Sequence, residues 1–201
     1  VMPASRAGYT AGMFSHAIVR PPSANYADGL TRVDLGVPDF ATVLAQHAAY
    51  CQALADCGLA LTVLPPDPRF PDATFVEDTA VIVPGGAMLM RPGAASRLGA
   101  AEAIAPVLRA RFPDLAEIVA PGSVDGGDIC EAGRHVFIGL SHRTNESGAA
   151  QLAAWLAGHG FTSSTVDVRG LTSILHLKSG LSWLGDGGVL LIPELAGHPA
   201  F

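Results

Sequence analysis

Between positions 40 and 57 the apolar residues Phe40, Val43, Leu44, Ala48, Cys51 and Leu54 recur at helical spacing. Asp39 is placed to cap the start and Gly58 to end it, so the pattern predicts an amphipathic helix over 40–57. A β-rich run "LALTVL" (59–64) follows, then the polar loop "PPDPRFPDATFVED", then "TAVIV" and "AMLM" joined through Pro84, Gly85 and Gly86 as a hairpin. The order is helix, strand, acidic loop, hairpin.

That order returns twice. The second unit predicts a helix over about 95–111, a strand near 117–120, the loop "GSVDGGD", and a hairpin "ICEAGRHVFIGL" turning at Ala132 and Gly133. The third predicts a helix over about 147–157, a strand near 164–168, the loop "RGLTSILHLK", and a hairpin from "GLSWL" to "VLLIP" across residues 185–188. The turn glycines Gly85, Gly133 and Gly187 are 48 and 54 residues apart, a period that suits propellers and other radial repeats. In a radial array equivalent loops meet at one axis, which would gather Asp72 to Asp78, Asp125 to Asp128 and His176 into one acidic pocket with a histidine. Residues 16–36 predict a strand and a long loop without a helix, and the sequence stops at Phe201 after the third hairpin. The expectation is a single domain over 13–201 that lacks its last portion, preceded by a loose extension over 1–12.

With 49% apolar and 15% charged residues, the 201-residue chain can bury a substantial core. The formal charge of −6 comes without a basic run, which argues against nucleic acid and leaves room for a cationic ligand. No apolar run approaches a membrane span or a secretory leader. Three cysteines without C-x-x-C spacing fit neither a disulfide framework nor a zinc knuckle, and a cytoplasmic location is expected. Cys51 and Cys57 read as parts of the helix pattern, and Cys130 as a small core residue of a strand.

Glu77, Asp78, Asp125 and Asp128 taken singly read as turn carboxylates that accept backbone amides. Their recurrence at equivalent places changes the picture, because clustered carboxylates repel one another unless they meet a cation. A metal or an ammonium would serve, and a guanidinium matches paired carboxylates bidentately. His176, between leucines, reads on its own as a packed residue; beside carboxylates it can trade protons near neutrality. The other six histidines show no metal-ligand spacing. Arg97 and Arg143 each follow a hairpin and precede a helix, which would suit the carboxylate of a zwitterionic ligand.

The segments "IVRPPSANYADGLTRVDLG", "LPPDPRFPDATFVEDTAV", "RPGAASRLG", "VDGGDI", "LSHRTNESG" and "LHLKSGL" resemble, in collinear order, the dimethylarginine dimethylaminohydrolase family. That family belongs to the guanidino-group-modifying superfamily, whose α/β fold is a five-fold pseudo-symmetric α/β-propeller, the pentein. The resemblance implies hydrolysis of asymmetric dimethylarginine and monomethylarginine to citrulline and a methylamine by covalent cysteine catalysis, without metal or organic cofactor. It implies that His176 is the general acid and that Asp125 engages the guanidinium and orients the histidine. Asp78 and Glu77 would bind the same cation, Asp72 and Leu30 would hold the amino-acid end, and Arg97 and Arg143 would clamp the α-carboxylate. The family's nucleophilic cysteine matches no position among these 201 residues, so the chain alone is expected to be inactive. An arginine deiminase, a non-catalytic amino-acid-binding module and a divalent-metal hydrolase remain the alternatives, and a homodimer is left open.

Overall fold

The computed structural model describes residues 14–31 and 35–201; the expected extension over 1–12 lies outside the described residues. The chain divides after Thr74 into two compact units. In the first, β1 (His16–Val19) and β2 (Ala60–Val63) pair in parallel, with α1 (Phe40–Asp56) as the crossover between them. A helix is needed there because two parallel neighbours cannot be joined by a tight turn. Asp39 stands at the N-cap, but its carboxylate accepts the Thr42 hydroxyl at 3.3 Å rather than a backbone amide. Gly58 ends the helix with φ 86°, a left-handed conformation that glycine takes without penalty. Phe40, Val43, His47, Cys51 and Leu54 form a half-buried stripe, whereas Leu44 and Ala48, expected on that face, are exposed.

The second unit, from Phe75, holds two three-stranded sheets of identical pattern and a hairpin. β3 (Ala80–Val83) and β4 (Gly86–Leu89) are antiparallel, and β5 (Ala116–Glu117) adds parallel to β4. In the same way β6 (Ile129–Ala132) and β7 (His135–Leu140) are antiparallel, and β8 (Thr162–Asp167) adds parallel to β7. β9 (Leu181–Gly185) and β10 (Gly188–Leu191) make the third hairpin. The repeat is real but is cut differently from the expectation. The strand after each helix joins the hairpin before that helix, not the one after it. A helix long enough to return the chain makes this parallel addition available, whereas joining the next hairpin would consume the acidic loop between them.

The helix expected over 95–111 breaks into 3-10 turns at Ala95–Arg97 and Ala100–Ala103 and a short α2 (Ala105–Arg109). Gly99, with φ 91°, interrupts it, and Pro106 has no N–H for a bond back to Glu102. The third helix, α3 (Glu146–Gly158), forms as expected, and the Asn145 side chain caps it by accepting the Gly148 amide at 2.8 Å.

The β6–β8 sheet divides two cores by strict alternation of its side chains. Ile129, Val136 and Ile138 face one core with Val83, Met88, Met90, Ile118 and the α3 residues Ala149, Leu152 and Leu156. Cys130, Phe137 and Val166 face the other with Ile174, Leu177, Leu181 and Leu195. Full burial of a leucine such as Leu152 contributes about 1.5–3 kcal/mol, so α3 is held by packing rather than by helix propensity. Leu177 belongs to the second core, and this fixes the loop that carries His176 beside it.

Candidate active site

Each first strand of a hairpin in the second unit is entered through a short 3-10 turn. Val76–Thr79 leads into β3, Gly126–Asp128 into β6, and Leu177–Ser179 lies just before β9. Asp78 lies on the first turn, Asp125 and His176 immediately precede the other two in extended conformation, and the three turns pack together. The paired glycines of "DGGD" permit this approach. A Cβ on Gly126 would lie 2.1 Å from the Glu77 carbonyl oxygen, and one on Gly127 would lie 2.8 Å from Cγ of His176. Any side chain at either position would therefore push the turns apart.

The carboxylates take different partners. Asp78 accepts the Gly127 amide at 3.1 Å on Oδ1 and the Arg97 guanidinium on Oδ2. Asp125 is buried, accepts the Gly93 amide at 2.7 Å, and donates its own amide to the Thr144 hydroxyl at 3.1 Å. Burial, reinforced by the nearby charge of Asp78, raises the Asp125 pKa despite the opposing Gly93 amide, His176 and Arg97. Asp128 is fully buried. Its Oδ2 accepts the hydroxyls of Ser141 at 2.6 Å and Thr144 at 2.7 Å, and its Oδ1 accepts the Leu177 amide at 3.1 Å. Nδ1 of His176 lies 3.3 Å from the same Oδ2, an ion-pair distance without the angle of a good hydrogen bond. Burial alone would lower the His176 pKa, but the Asp128 contact and the charges of Asp125 and Asp78 outweigh it and raise it.

Among the residues singled out in the sequence, His176, Asp125, Asp78, Glu77 and Arg97 are joined by contacts within the second unit. Arg97 is buried, bonds Asp78 and donates to the Phe75 carbonyl at 3.2 Å, which ties it to the acidic turn. Arg143 is half-buried, and its loop is held by Ser141, whose Oγ accepts the Arg143 amide at 2.9 Å. Glu77 is exposed and bonds Lys178, linking the first acidic turn to the histidine loop. Leu30 and Asp72 lie in the first unit and meet each other: Oδ2 of buried Asp72 accepts the Leu30 amide at 3.1 Å. Gly29 makes room for this, since a Cβ there would lie 2.5 Å from Oδ1 of Asp72.

Ser141, Thr144 and Lys178 carry contacts that residue type and spacing do not announce. Asp128 sits three residues after Asp125 across a 3-10 turn, where positions i and i+3 eclipse, and that spacing is the one signal for it. Cys130 is buried in the second core, and burial pushes its thiol pKa up, opposite to what activates a nucleophile. Among the described residues no group of three or more His, Cys, Asp or Glu could hold a metal ion. No helix there is long and apolar enough to cross a membrane.

No protein-family model matches the chain. Over 190 residues it is 45% identical to N(G),N(G)-dimethylarginine dimethylaminohydrolase of Pseudomonas aeruginosa, covering 94% of this chain and 74% of that protein. It is 34% identical over 175 residues to the enzyme of the same name from Streptomyces coelicolor, covering 87% of this chain and 67% of the other. A cysteine-to-serine mutant of the Pseudomonas aeruginosa enzyme, solved in complex with citrulline, superposes with a TM-score of 0.88 at 44% identity, over 94% of this chain and 73% of that one. The α/β architecture is that of the pentein fold, and this likeness, extending along nearly all of the sequence, establishes that the chain belongs to the dimethylarginine dimethylaminohydrolase family.

Proposed function

We propose that the protein hydrolyses Nω-methylated arginines, asymmetric dimethylarginine and monomethylarginine, to citrulline and the methylamine, on a five-fold α/β-propeller. The observation that carries this reading is the gathering of Asp78, Asp125 and Asp128 around His176 from separate stretches of chain. Such a nest suits a planar cation next to a group that exchanges protons. Asp78 and Asp125, with Glu77, hold the guanidinium; Arg143 and Arg97 serve the α-carboxylate end, and Leu30 and Asp72 the amino-acid end. The free cysteines Cys51, Cys57 and Cys130 fit a reducing cytoplasm.

In the reaction a cysteine thiolate adds to the guanidinium carbon, forming a C–S bond. The C–N bond to the methylated nitrogen then breaks, and the amine leaves with a proton from His176. Water next gives a proton to His176 as its oxygen bonds the same carbon; the C–S bond breaks, and citrulline and the thiolate are released. None of Cys51, Cys57 and Cys130 is that nucleophile in this reading, because Cys51 lies along α1, Cys57 ends it and Cys130 lies in a core. The 201 residues then supply the acid–base and cation-binding part of the site.

Incubating the 201-residue chain with asymmetric dimethylarginine should release no citrulline above background. Turnover that Cys130→Ser abolishes would overturn the assignment of the nucleophile. Turnover of arginine in preference to dimethylarginine would replace the reading with a deiminase.

A further inference from the structure

We propose that His47 and Cys51 form a metal-binding pair on α1, a two-donor clamp for a zinc-like divalent ion. The inference stands apart from the proposed reaction and uses none of the residues of the acidic nest.

The helix brings the two donors together. His47 and Cys51 are four residues apart on α1, where side chains at i and i+4 lie one turn above each other on the same face. Sγ of Cys51 lies 3.6 Å from Nδ1 and 3.9 Å from Nε2 of His47. A tetrahedral zinc ion, with a Zn–S bond of about 2.3 Å and a Zn–N bond of about 2.0–2.1 Å, sets such donors about 3.5 Å apart. The pair therefore stands at the bite of that ion. Because both ring nitrogens are near the sulfur, a small rotation of the imidazole aims one of them at the metal. Donors fixed on a formed helix also lose little freedom on binding. Histidine spacing alone does not show the pair, since its second donor is a cysteine.

The surroundings favour a cation. No lysine or arginine occurs from residue 33 to residue 68, and Asp39 and Asp56 stand at the two ends of α1. Both donors are half-buried and α1 has no buried residue, so a hydrated ion can reach them. Thiolate and imidazole together suit zinc or cadmium, whereas magnesium and calcium take oxygen donors. Binding exchanges a proton for the metal. The thiol hydrogen goes to solvent, the sulfur and one neutral ring nitrogen bond the ion, and water fills its remaining positions. Cys57 follows the end of α1 and Cys130 lies in a core of the second unit, so the pair is made by Cys51 alone with His47.

The test follows cadmium binding to the reduced 201-residue chain through the ultraviolet charge-transfer band of a thiolate–cadmium bond. Carboxylates give no such band, so an ion in the acidic nest goes unseen. One equivalent of cadmium should saturate the band, and zinc should compete it away. Cys51→Ser should abolish the band, His47→Gln should weaken cadmium binding at least about ten-fold, and Cys57→Ser should change neither. The His47 ring signals in 15N–1H spectra, identified with His47→Gln, should shift as the band grows. A parent chain without the band, or a band that survives in Cys51→Ser, overturns the proposal. So does a His47→Gln chain that binds cadmium as tightly as the parent, because a lone thiol would then suffice. Should a variant fail to fold, the parent decides alone: His47 ring signals that stay in place while the band saturates refute the clamp, and signals that move with it support it.

Discussion

Replacing Asp78 by asparagine is expected to cost roughly 3–5 kcal/mol of stability, because it removes the carboxylate that a buried guanidinium bonds directly. Arg97 is 6% exposed at its side chain and bonds Asp78 directly. The direct ion pair is lost while the desolvation of Arg97 remains. The change also weakens the acceptor of the Gly127 amide, which ties the first acidic turn to the glycine turn next to His176. Denaturant melts should therefore show a lowered midpoint, and the surviving folded fraction should bind dimethylarginine at least ten-fold more weakly. The double substitution Asp78→Asn with Arg97→Met removes both charges and should recover much of the stability but none of the binding. A single variant as stable as the parent would mean that the pair is not buried in solution.

Asp67→Asn is the counterpart in the first unit, with an expected loss of the same size, roughly 3–5 kcal/mol. Arg20 and Asp67 are exposed by only 5% and 8%, and their contact of 3.1 Å spans 47 residues. Among the described residues Nε of Arg20 is buried without a hydrogen-bond partner, so the guanidinium depends on this carboxylate all the more. Arg69, 64% exposed, also bonds Asp67 but contributes little to stability from the surface. The Arg69 hydrogen bond, opposed by burial and aided by the charge of Arg20, holds the Asp67 pKa at about 2. Since the folded pKa lies below the unfolded one, this stabilisation is present above about pH 4 and is lost as pH falls towards 2. The difference between parent and Asp67→Asn in urea melts should accordingly shrink between about pH 4 and pH 2. A difference that stays constant through that window would contradict the assignment. Within the first unit the loop from Asp67 also carries Asp72, whose carboxylate accepts the Leu30 amide.

Local rules made the hairpins and two of the helices legible. Gly58, Gly85, Gly133 and Gly187 adopt positive φ at the turns and the helix end where the pattern asked for them. The helix over 95–111 failed on two residues, since Gly99 and Pro106 interrupt a stretch whose apolar content alone looks helical. Strand pairing was beyond local rules. Whether β5 adds to the hairpin before or after it depends on contacts across the β4–β5 connection, and no residue of "AE" records that choice.

The site was legible as a set of loops and not as a set of contacts. The acidic turns and His176 could be placed at equivalent positions by counting, and they do meet within the second unit. What each carboxylate touches depends on distances of a few tenths of an ångström in the turns. Asp125 and Asp128 differ by three positions in one motif, yet one bonds the Gly93 amide and the other faces the imidazole. The Arg97–Asp78 contact joins residues 19 apart, a separation with no signature in spacing.

A titration of asymmetric dimethylarginine into the 15N-labelled chain tests the central claim, a carboxylate nest beside an imidazole that takes a guanidinium. Gly127 and Gly93 report on it, because their amides donate to Asp78 and Asp125. Both amide signals and the His176 ring signals should shift together and saturate with one affinity. Shifts that leave these three residues unmoved while others respond would place the ligand elsewhere and contradict the account.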